Sequence, residues 1–178
     1  MKEDMREEGS GGSPARQLAM FISKYDPQID KLARTARLRL RRQMPSAVEL
    51  VYDNYNALAI GFGPTERASD VIVSLALYPR WVSLFFMQGA ALPDPHKLLR
   101  GSENVVRHIV LDGAADLDKP EVRTSLIEAI HRARVPLPRG GRGRTVIKSI
   151  SPKQRPRRLT SERSAVTKAN AYRERVVQ

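Results

Sequence analysis

Hydrophobic and polar residues recur with the period of an α-helix in two segments near the beginning of the chain. Each segment opens on a polar residue followed by proline, Ser13-Pro14 and Asp26-Pro27, the sequence of an N-cap and a first helical position. The apolar positions of the first segment are Leu18, Phe21, Ile22 and Tyr25, and those of the second are Ile29, Leu32, Ala33, Ala36 and Leu40. The pattern predicts two helices, the second ending at Met44-Pro45 because the residue before proline disfavours the helical conformation. The bases of the second helix, which are Lys31, Arg34, Arg37 and Arg41, are expected on its solvent side.

The pattern changes to short runs of valine, isoleucine, leucine and aromatic residues between residues 48 and 87. Asparagine, glycine and proline separate these runs, as they separate strands in a sheet. The breaks hold two to eight residues, too few for a crossover helix, so neighbouring strands should run antiparallel. We predict four strands, at Val48–Asp53, Ala57–Phe62, Val71–Tyr78 and Trp81–Met87.

Residues 94–150 mix helical and strand patterns. Asp94-Pro95 predicts a short helix that reaches Arg100, and the glycine-rich segment Arg139–Arg144 is typical of a flexible turn. A longer helix is expected at Pro120–Arg134, with its apolar face formed by Val122, Leu126, Ile127 and Ile130. A fifth strand is predicted at Val105–Leu111 and a sixth, at the sheet edge, at Thr145–Ile150.

This order of elements indicates an α+β fold. We expect a single antiparallel sheet of five to six strands, with the N-terminal helix pair and the C-terminal helix packed on one face. The domain should cover residues 14–151. A disordered acidic leader at residues 1–13 and a basic, mobile C-terminal arm at residues 152–178 should flank it.

Charge is concentrated in the last 40 residues rather than spread over the chain. The 178 residues carry 31 Lys and Arg against 19 Asp and Glu, a net charge of +12, and residues 139–178 hold twelve bases and two acids. Residues 1–138, with 19 bases and 17 acids, are therefore nearly neutral, except for Lys31–Arg42, which has six bases and no acid. The absence of cysteine excludes disulfides, thiolate catalysis, zinc fingers and iron–sulfur clusters. The first 14 residues lack the apolar core of a signal peptide and no apolar run reaches the ~20 residues that span a bilayer, so we expect a cytoplasmic protein.

Three motifs between residues 44 and 112 carry a family resemblance. They are Met44-Pro45 before the sheet, Leu77-Tyr78-Pro79 between two strands, and an L-x-G-x-x-x-x-V-R pattern from Leu99 to Arg107. With these motifs, residues 17–151 resemble the YdhG-like domain family of bacteria, and for most of that family no biochemical activity is assigned. One branch is a frataxin-like iron chaperone, which implies acidic residues on a helix and a sheet edge. The second helix of this chain carries arginines instead, so iron handling is a third hypothesis to which no residue is assigned.

No motif for catalysis is present, and we predict no catalytic residue, no cofactor and no metal site. The sequence lacks a Gly-x-Ser-x-Gly elbow, and its glycine-rich segments lack the Lys-Ser/Thr ending of a P-loop. The three histidines, His96, His108 and His131, do not have the spacing of metal ligands. A site formed by the first two with Asp94 and Asp112 is the weaker alternative to surface or partly buried imidazoles.

Aromatic and basic residues from different strands could meet at one rim of the sheet. Such a rim would bind an anionic, planar ligand through ring stacking and charge-assisted hydrogen bonds. The alternative is that these rings belong to the core. The predicted ligand-binding residues are Tyr52, Tyr55, Tyr78, Trp81, Lys97, Arg100, Arg107 and His108.

The basic arm supports a hypothesis of a different class, non-specific nucleic-acid binding. Residues 148–158 hold five bases, and two prolines keep the segment extended, so that it could follow a phosphate backbone together with the second helix. No base-reading motif accompanies these bases, and a solvated arm that only raises solubility is the alternative. The predicted nucleic-acid-binding residues are Arg34, Arg37, Arg41, Lys148, Lys153, Arg155, Arg157 and Arg158. The expected partners are thus a small anionic ligand, a protein or nucleic acid, but no membrane; pairing of strand edges into a homo-oligomer stays open.

Overall fold

The structure, a computed structural model, describes residues 12–159 of the chain. Those residues form helices α1 (Pro14–Ser23), α2 (Pro27–Gln43) and α3 (Pro120–His131). They also form strands β1 (Val48–Asp53), β2 (Leu58–Gly63), β3 (Val73–Leu77), β4 (Val82–Phe86), β5 (Arg107–Leu111) and β6 (Thr145–Ile150). The predicted α+β class, the N-terminal helix pair and the C-terminal helix are confirmed. Most of the predicted leader and the arm beyond residue 159 lie outside the described residues.

The six strands form one sheet in the order β5-β4-β3-β2-β1-β6. Strands β1 to β5 pair antiparallel with their neighbours, as their short connections predicted. Strand β6 occupies the edge beside β1 but runs parallel to it, so the sheet is mixed rather than purely antiparallel. The reason is the connection between β5 and β6, which contains α3 and is long enough to return the chain to the opposite edge in the direction of β1.

One hydrophobic core lies between the sheet and the helices. Alternate residues of the strands, such as Ile60, Leu75 and Leu84, point to the helix side and are fully buried. The helices contribute side chains to the same cluster, including the fully buried Leu18 of α1 and Leu126 of α3. All three helices therefore cover one face of the sheet, as predicted.

Two helical predictions need local correction. Residues 94–100 form a turn, not a helix, because the side chain of Asp94 accepts hydrogen bonds from the backbone N–H groups of Leu98 and Leu99, at 2.8 and 2.9 Å. Asp-Pro is a turn signal as well as a helix start. In α3, Ile127 is 58% exposed and Ser125 is buried instead, so the apolar face is rotated relative to the predicted one.

The glycine-rich segment before β6 is held against β1 rather than left as a flexible turn. The Gly143 N–H donates to Pro45 O at 2.8 Å, and the Glu49 N–H donates to Arg144 O at 2.8 Å. A Cβ atom on Gly143 would lie 1.9 Å from Ala47 O, so only glycine fits. This close approach aligns β6 with β1.

One end of the sheet carries the tight turns at residues 54–57 and 78–81, which join β1 to β2 and β3 to β4. We call it the turn end. Because β6 is parallel to β1, it also finishes there, and the chain from Ser151 to Leu159 continues across this end. The connections at residues 64–72 and 87–106 lie at the opposite end.

Candidate ligand-binding cleft

Strand β1 carries a buried carboxylate, Glu49, on its helix-facing side. It is 1% exposed, and a carboxylate so placed requires cationic partners. Its two oxygens accept from Arg37 Nε and Nη2 at 2.8 and 2.7 Å, while Oε2 also accepts from Arg41 Nη1 at 2.9 Å and Thr145 Oγ1 at 2.6 Å. The network joins α2 and β6 to β1.

The arginines of α2 therefore do not form the solvated stripe that the sequence predicted. Arg37 and Arg41 are engaged by Glu49, and Arg34 forms an ion pair with Asp30 one turn earlier. Arg34 also donates to Ala19 O at 3.0 Å, which links α2 to α1. These three residues were predicted to bind nucleic acid, but their charges are compensated within the domain.

A second carboxylate of β1, Asp53, binds the C-terminal segment. Its Oδ1 accepts from Arg157 Nη2 at 2.8 Å and its Oδ2 accepts from Lys24 Nζ at 3.1 Å. The side chain of Arg157 is 3% exposed, and its guanidinium also lies 5.6 Å from the centroid of the Tyr25 ring. An arginine in this position is a structural anchor and is not available to nucleic acid.

Residues 151–159, which we call the strap, pack across the turn end instead of starting a mobile arm. The Ser151 N–H donates to Asp53 O at 2.8 Å, and the Arg155 N–H donates to Tyr55 O at 2.9 Å. Arg158 donates from Nε to Tyr25 O at 3.1 Å and from Nη2 to the carbonyl oxygen of Ser23, the last residue of α1, at 3.0 Å. The folded domain therefore extends beyond the predicted boundary at residue 151.

The buried side chain of Tyr25 connects α1 to the strands beneath the strap. Its hydroxyl accepts from the Leu58 N–H and donates to Leu77 O, both at 3.0 Å. Burial raises the pKa of this hydroxyl from 10.0 to about 12, so it stays protonated and keeps both hydrogen bonds in moderately alkaline solution as well as at neutral pH. The residue thereby ties the end of α1 to β2 and β3 beneath the strap.

A cleft of about 790 Å³ opens between the strap and the β3–β4 turn. Of the eight described residues that line it, three are arginine, two are aromatic and none is acidic: Tyr55, Pro79, Arg80, Trp81, Arg155, Pro156, Arg158 and Leu159. The rings are accessible, Tyr55 being 49% and Trp81 42% exposed. The cleft therefore combines aromatic surface with positive charge.

The rings of the cleft are held by neighbours that leave part of their surface open. Trp81 stacks on Tyr78 with the ring centroids 4.9 Å apart and the planes at 23°. The guanidinium of Arg155 lies 5.7 Å from the centroid of the Tyr55 ring. Within residues 12–159, neither Arg155 nor Arg158 forms an ion pair, so no carboxylate neutralises them at close range. Such a lining can stack a planar group and hold an anion beside it.

The structure separates the residues that the sequence assigned to one rim. Tyr55 and Trp81 line the cleft and Tyr78 supports it. Tyr52 lies on the face of the sheet opposite the helices, in a shallow apolar groove of about 310 Å³ that Phe85 also lines.

The remaining predicted ligand-binding residues lie at the far edge of the sheet, since β2, β3 and β4 separate β5 from β1. His108 stacks on Phe85 at 5.1 Å, Arg107 donates to Val106 O, and Arg100 pairs with His108 through the backbone. Lys97 is exposed in the turn that replaces the predicted short helix.

The predicted nucleic-acid-binding residues are divided as well. Arg155 and Arg158 line the cleft, whereas Lys148 and Lys153 are exposed outside its lining. Sequence reasoning missed Arg80, Pro156 and Leu159 as lining residues. The signal for Arg80 was present, since it precedes Trp81 in a two-residue break between strands.

No family model matches the chain, and the comparisons with curated proteins and with solved structures also give no match. The resemblance to the YdhG-like family therefore stays a prediction. Between residues 12 and 159, no group of three or more histidine, aspartate or glutamate side chains is placed to hold a metal ion. No helix in the same part of the chain has the length and apolar character needed to cross a membrane.

Proposed function

We propose that the protein is a non-enzymatic binding domain, of the YdhG-like type that its sequence resembles, and that the cleft binds a small anionic ligand with a planar ring. The observation that carries this proposal is the lining of the cleft, with two exposed aromatic rings beside three arginines and no acid. A nucleotide has both chemical features, a flat base and a phosphate. We therefore take nucleotides as the ligand class.

Each feature of such a ligand has a matching group in the cleft. The base would stack on the part of the Trp81 ring that Tyr78 leaves uncovered, an interaction of about 0.5–1.5 kcal/mol beyond area burial. The phosphate would accept hydrogen bonds from Arg155, whose forked guanidinium group suits bidentate binding. Arg158 donates from Nε and Nη2 to backbone oxygens, so it would contribute its charge and the N–H groups of Nη1. The described lining offers no carboxylate, imidazole or thiol that could move a proton, which supports binding rather than catalysis.

The geometry favours this proposal over nucleic-acid binding through α2. Arg37 and Arg41 are bound to the buried Glu49, and releasing them would leave that carboxylate without compensation. An acidic protein partner is a further alternative. Such a partner would use the same arginines and rings, but a concave cleft of about 790 Å³ has the size of a small-molecule site.

Calorimetric titration with adenosine 5′-monophosphate tests the proposal. We expect one saturable site in the wild-type protein and about tenfold weaker binding in Arg155→Ala, because a hydrogen bond to a charged group contributes about 1.5 kcal/mol. Arg67→Ala is the matched control, since it removes the same charge at the opposite end of the sheet. Its affinity should stay within about twofold of wild type, because a distant exposed charge is screened by salt.

Two results would overturn the proposal. Absence of saturable heat at millimolar nucleotide would show that the cleft does not bind this class of ligand. Equal weakening in Arg155→Ala and Arg67→Ala would show that binding follows net charge and not the cleft.

A further inference from the structure

A second cavity of about 460 Å³ adjoins the cleft on the other side of the β3–β4 turn. It lies between the first half of α2 and the end of β5, and its polar lining includes Gln28, Lys31, Thr35 and Asp112. Arg80 and Trp81 line both cavities. The two cavities therefore meet at these side chains, and together we call them the groove.

Positive charge is distributed along the whole groove. Arg155 and Arg158 lie at the strap end, Arg80 in the middle and Lys31 at the α2 end. Lys31 is exposed and forms no ion pair within residues 12–159. A single small anion would occupy one of these positions, whereas a chain of phosphates would occupy several.

We infer that the ligand of the groove is a single-stranded nucleic acid, which would place a base on Trp81 and phosphates at Arg155, Arg158 and Lys31. This inference rests on the proposed binding of a nucleotide in the cleft and names the polymer as the occupant. Its support is the position of Trp81 between two cavities, each of which has cationic side chains in its lining. A groove of positive charge with stacking rings is how proteins bind single strands without reading sequence.

The exposed rings favour a single strand over a duplex. In a duplex the base faces are covered by neighbouring base pairs, so only the phosphates would reach the arginines and Trp81 would gain nothing. In the α2 half of the groove, Gln28 can donate to a base edge and Asp112 can accept from an exocyclic amine. Thr35 Oγ1 donates its proton to Lys31 O at 2.9 Å and can therefore only accept. Asp112 also disfavours a phosphate at its own position.

The described chain ends at Leu159, in the wall of the cleft. By sequence, residues 160–178 carry four bases and two acids. The bases of that segment are a competing source of affinity for a polyanion. The experiment must separate the two.

Fluorescence anisotropy with a labelled thymidine oligonucleotide of about 12 residues, within the usual range of site sizes, tests the inference on the full chain. We expect the oligonucleotide to bind at least tenfold more tightly than adenosine monophosphate and a duplex of equal length to bind more weakly. With three phosphate contacts, log affinity should fall with log salt at a slope of about −2.1. Lys31→Ala should weaken oligonucleotide binding about fourfold at physiological salt and leave the mononucleotide unaffected.

Further variants locate the binding surface. Trp81→Ala should weaken oligonucleotide binding by about 10- to 100-fold through loss of base stacking. Arg67→Ala, with its charge removed at the opposite end of the sheet, should change it little. A fourth variant replaces the bases of the C-terminal segment with alanine: Arg163, Lys168, Arg173 and Arg175.

The outcomes distinguish this inference from the proposed function. If the mononucleotide binds through Arg155 but the oligonucleotide binds no more tightly, the inference fails and the proposed function stands. If neither ligand binds, both fail. Equal affinity for the duplex would overturn the assignment to single strands, and loss of binding only in the variant of the C-terminal segment would show that the groove is not the site.

Discussion

Arg157 connects the strap to the interior of the domain, and its replacement by methionine tests whether the strap is part of the fold. Methionine keeps an apolar stem of similar length but removes the charge that Asp53 requires. In the variant, Asp53 keeps only the Lys24 ammonium at 3.1 Å, whose side chain is 42% exposed. The Arg157 hydrogen bonds to the carbonyl oxygens of Asn54 and Tyr55 are lost as well.

The size of the effect follows from the burial of the pair. Removing one partner of a buried ion pair costs about 3–5 kcal/mol, and the remaining Lys24 places this case near the lower value. Domains of this size have unfolding free energies of about 5–15 kcal/mol, so Arg157→Met should fold but lose a large fraction of its stability. Replacing both partners, in Asp53→Asn combined with Arg157→Met, should recover about 2 kcal/mol, because no uncompensated buried charge remains.

Urea unfolding at neutral pH, followed by circular dichroism, measures these free energies for the wild type, the two single variants and the double variant. The expected result is a coupling free energy between Asp53 and Arg157 that is clearly different from zero. A loss below about 1 kcal/mol in Arg157→Met, or additive effects in the double variant, would refute the view that the strap is anchored by this pair.

Three further predictions concern other contacts of the fold. Glu49→Gln removes the charge that binds two arginines of α2 and should lower the free energy of unfolding by about 3 kcal/mol in urea titrations; an unchanged midpoint would contradict this. Gly143→Ala places a Cβ atom against Ala47 O and should detach the start of β6, seen as faster hydrogen exchange of the Glu49 amide; unaltered exchange would show that the contact is not restrictive. Burial raises the pKa of Asp116, but hydrogen bonds from Lys119 and from backbone N–H groups outweigh it and hold the pKa below the usual 3.8. The unfolded state therefore binds more protons in acid, so the contribution of Asp116 to the free energy of unfolding is present above pH about 4 and is lost below it. In Asp116→Asn, the free energy of unfolding should fall less steeply as the pH is lowered. A dependence of that free energy on pH identical to that of the wild type would exclude this role.

The strands were predictable because short runs of valine, isoleucine, leucine and aromatic residues are separated by asparagine, glycine and proline. The predicted bounds of Val48–Asp53 and Thr145–Ile150 agree with those observed. The direction of β6 was not predictable in the same way, since it depends on where a long connection through α3 returns the chain. Short connections determine the relative direction of strands, and long ones leave it open.

The alternation of side chains along β1 contained a clue to the buried carboxylates. Glu49 and Asp53 share the face of β1 with the core residue Val51. Carboxylates on a core-facing side require cationic partners, so arginines of α2 and of the C-terminal segment were candidates for internal ion pairs rather than for nucleic-acid contacts. A count of basic residues does not distinguish arginines in internal ion pairs from arginines on the surface.

The candidate cleft was predictable only in its aromatic half. Tyr55 and Trp81 stand in turns between strands, so their place at one end of the sheet follows from the hairpin pattern. Their cationic neighbours Arg155 and Arg158 come from the strap, about 75 to 100 residues later in the chain, and their position depends on the burial of Arg157 against Asp53. Contacts of this range follow from tertiary packing and leave no local sequence pattern.

The most direct test of the proposed cleft uses its own tryptophan. Trp81 is the single tryptophan of the chain, so its emission reports on this site alone. Titration with adenosine 5′-monophosphate should quench that emission with saturation, and Arg155→Ala should shift the midpoint to about tenfold higher nucleotide concentration. Emission that does not change as the nucleotide is added, or a midpoint that Arg155→Ala leaves unchanged, would contradict binding of an anionic planar ligand in the cleft.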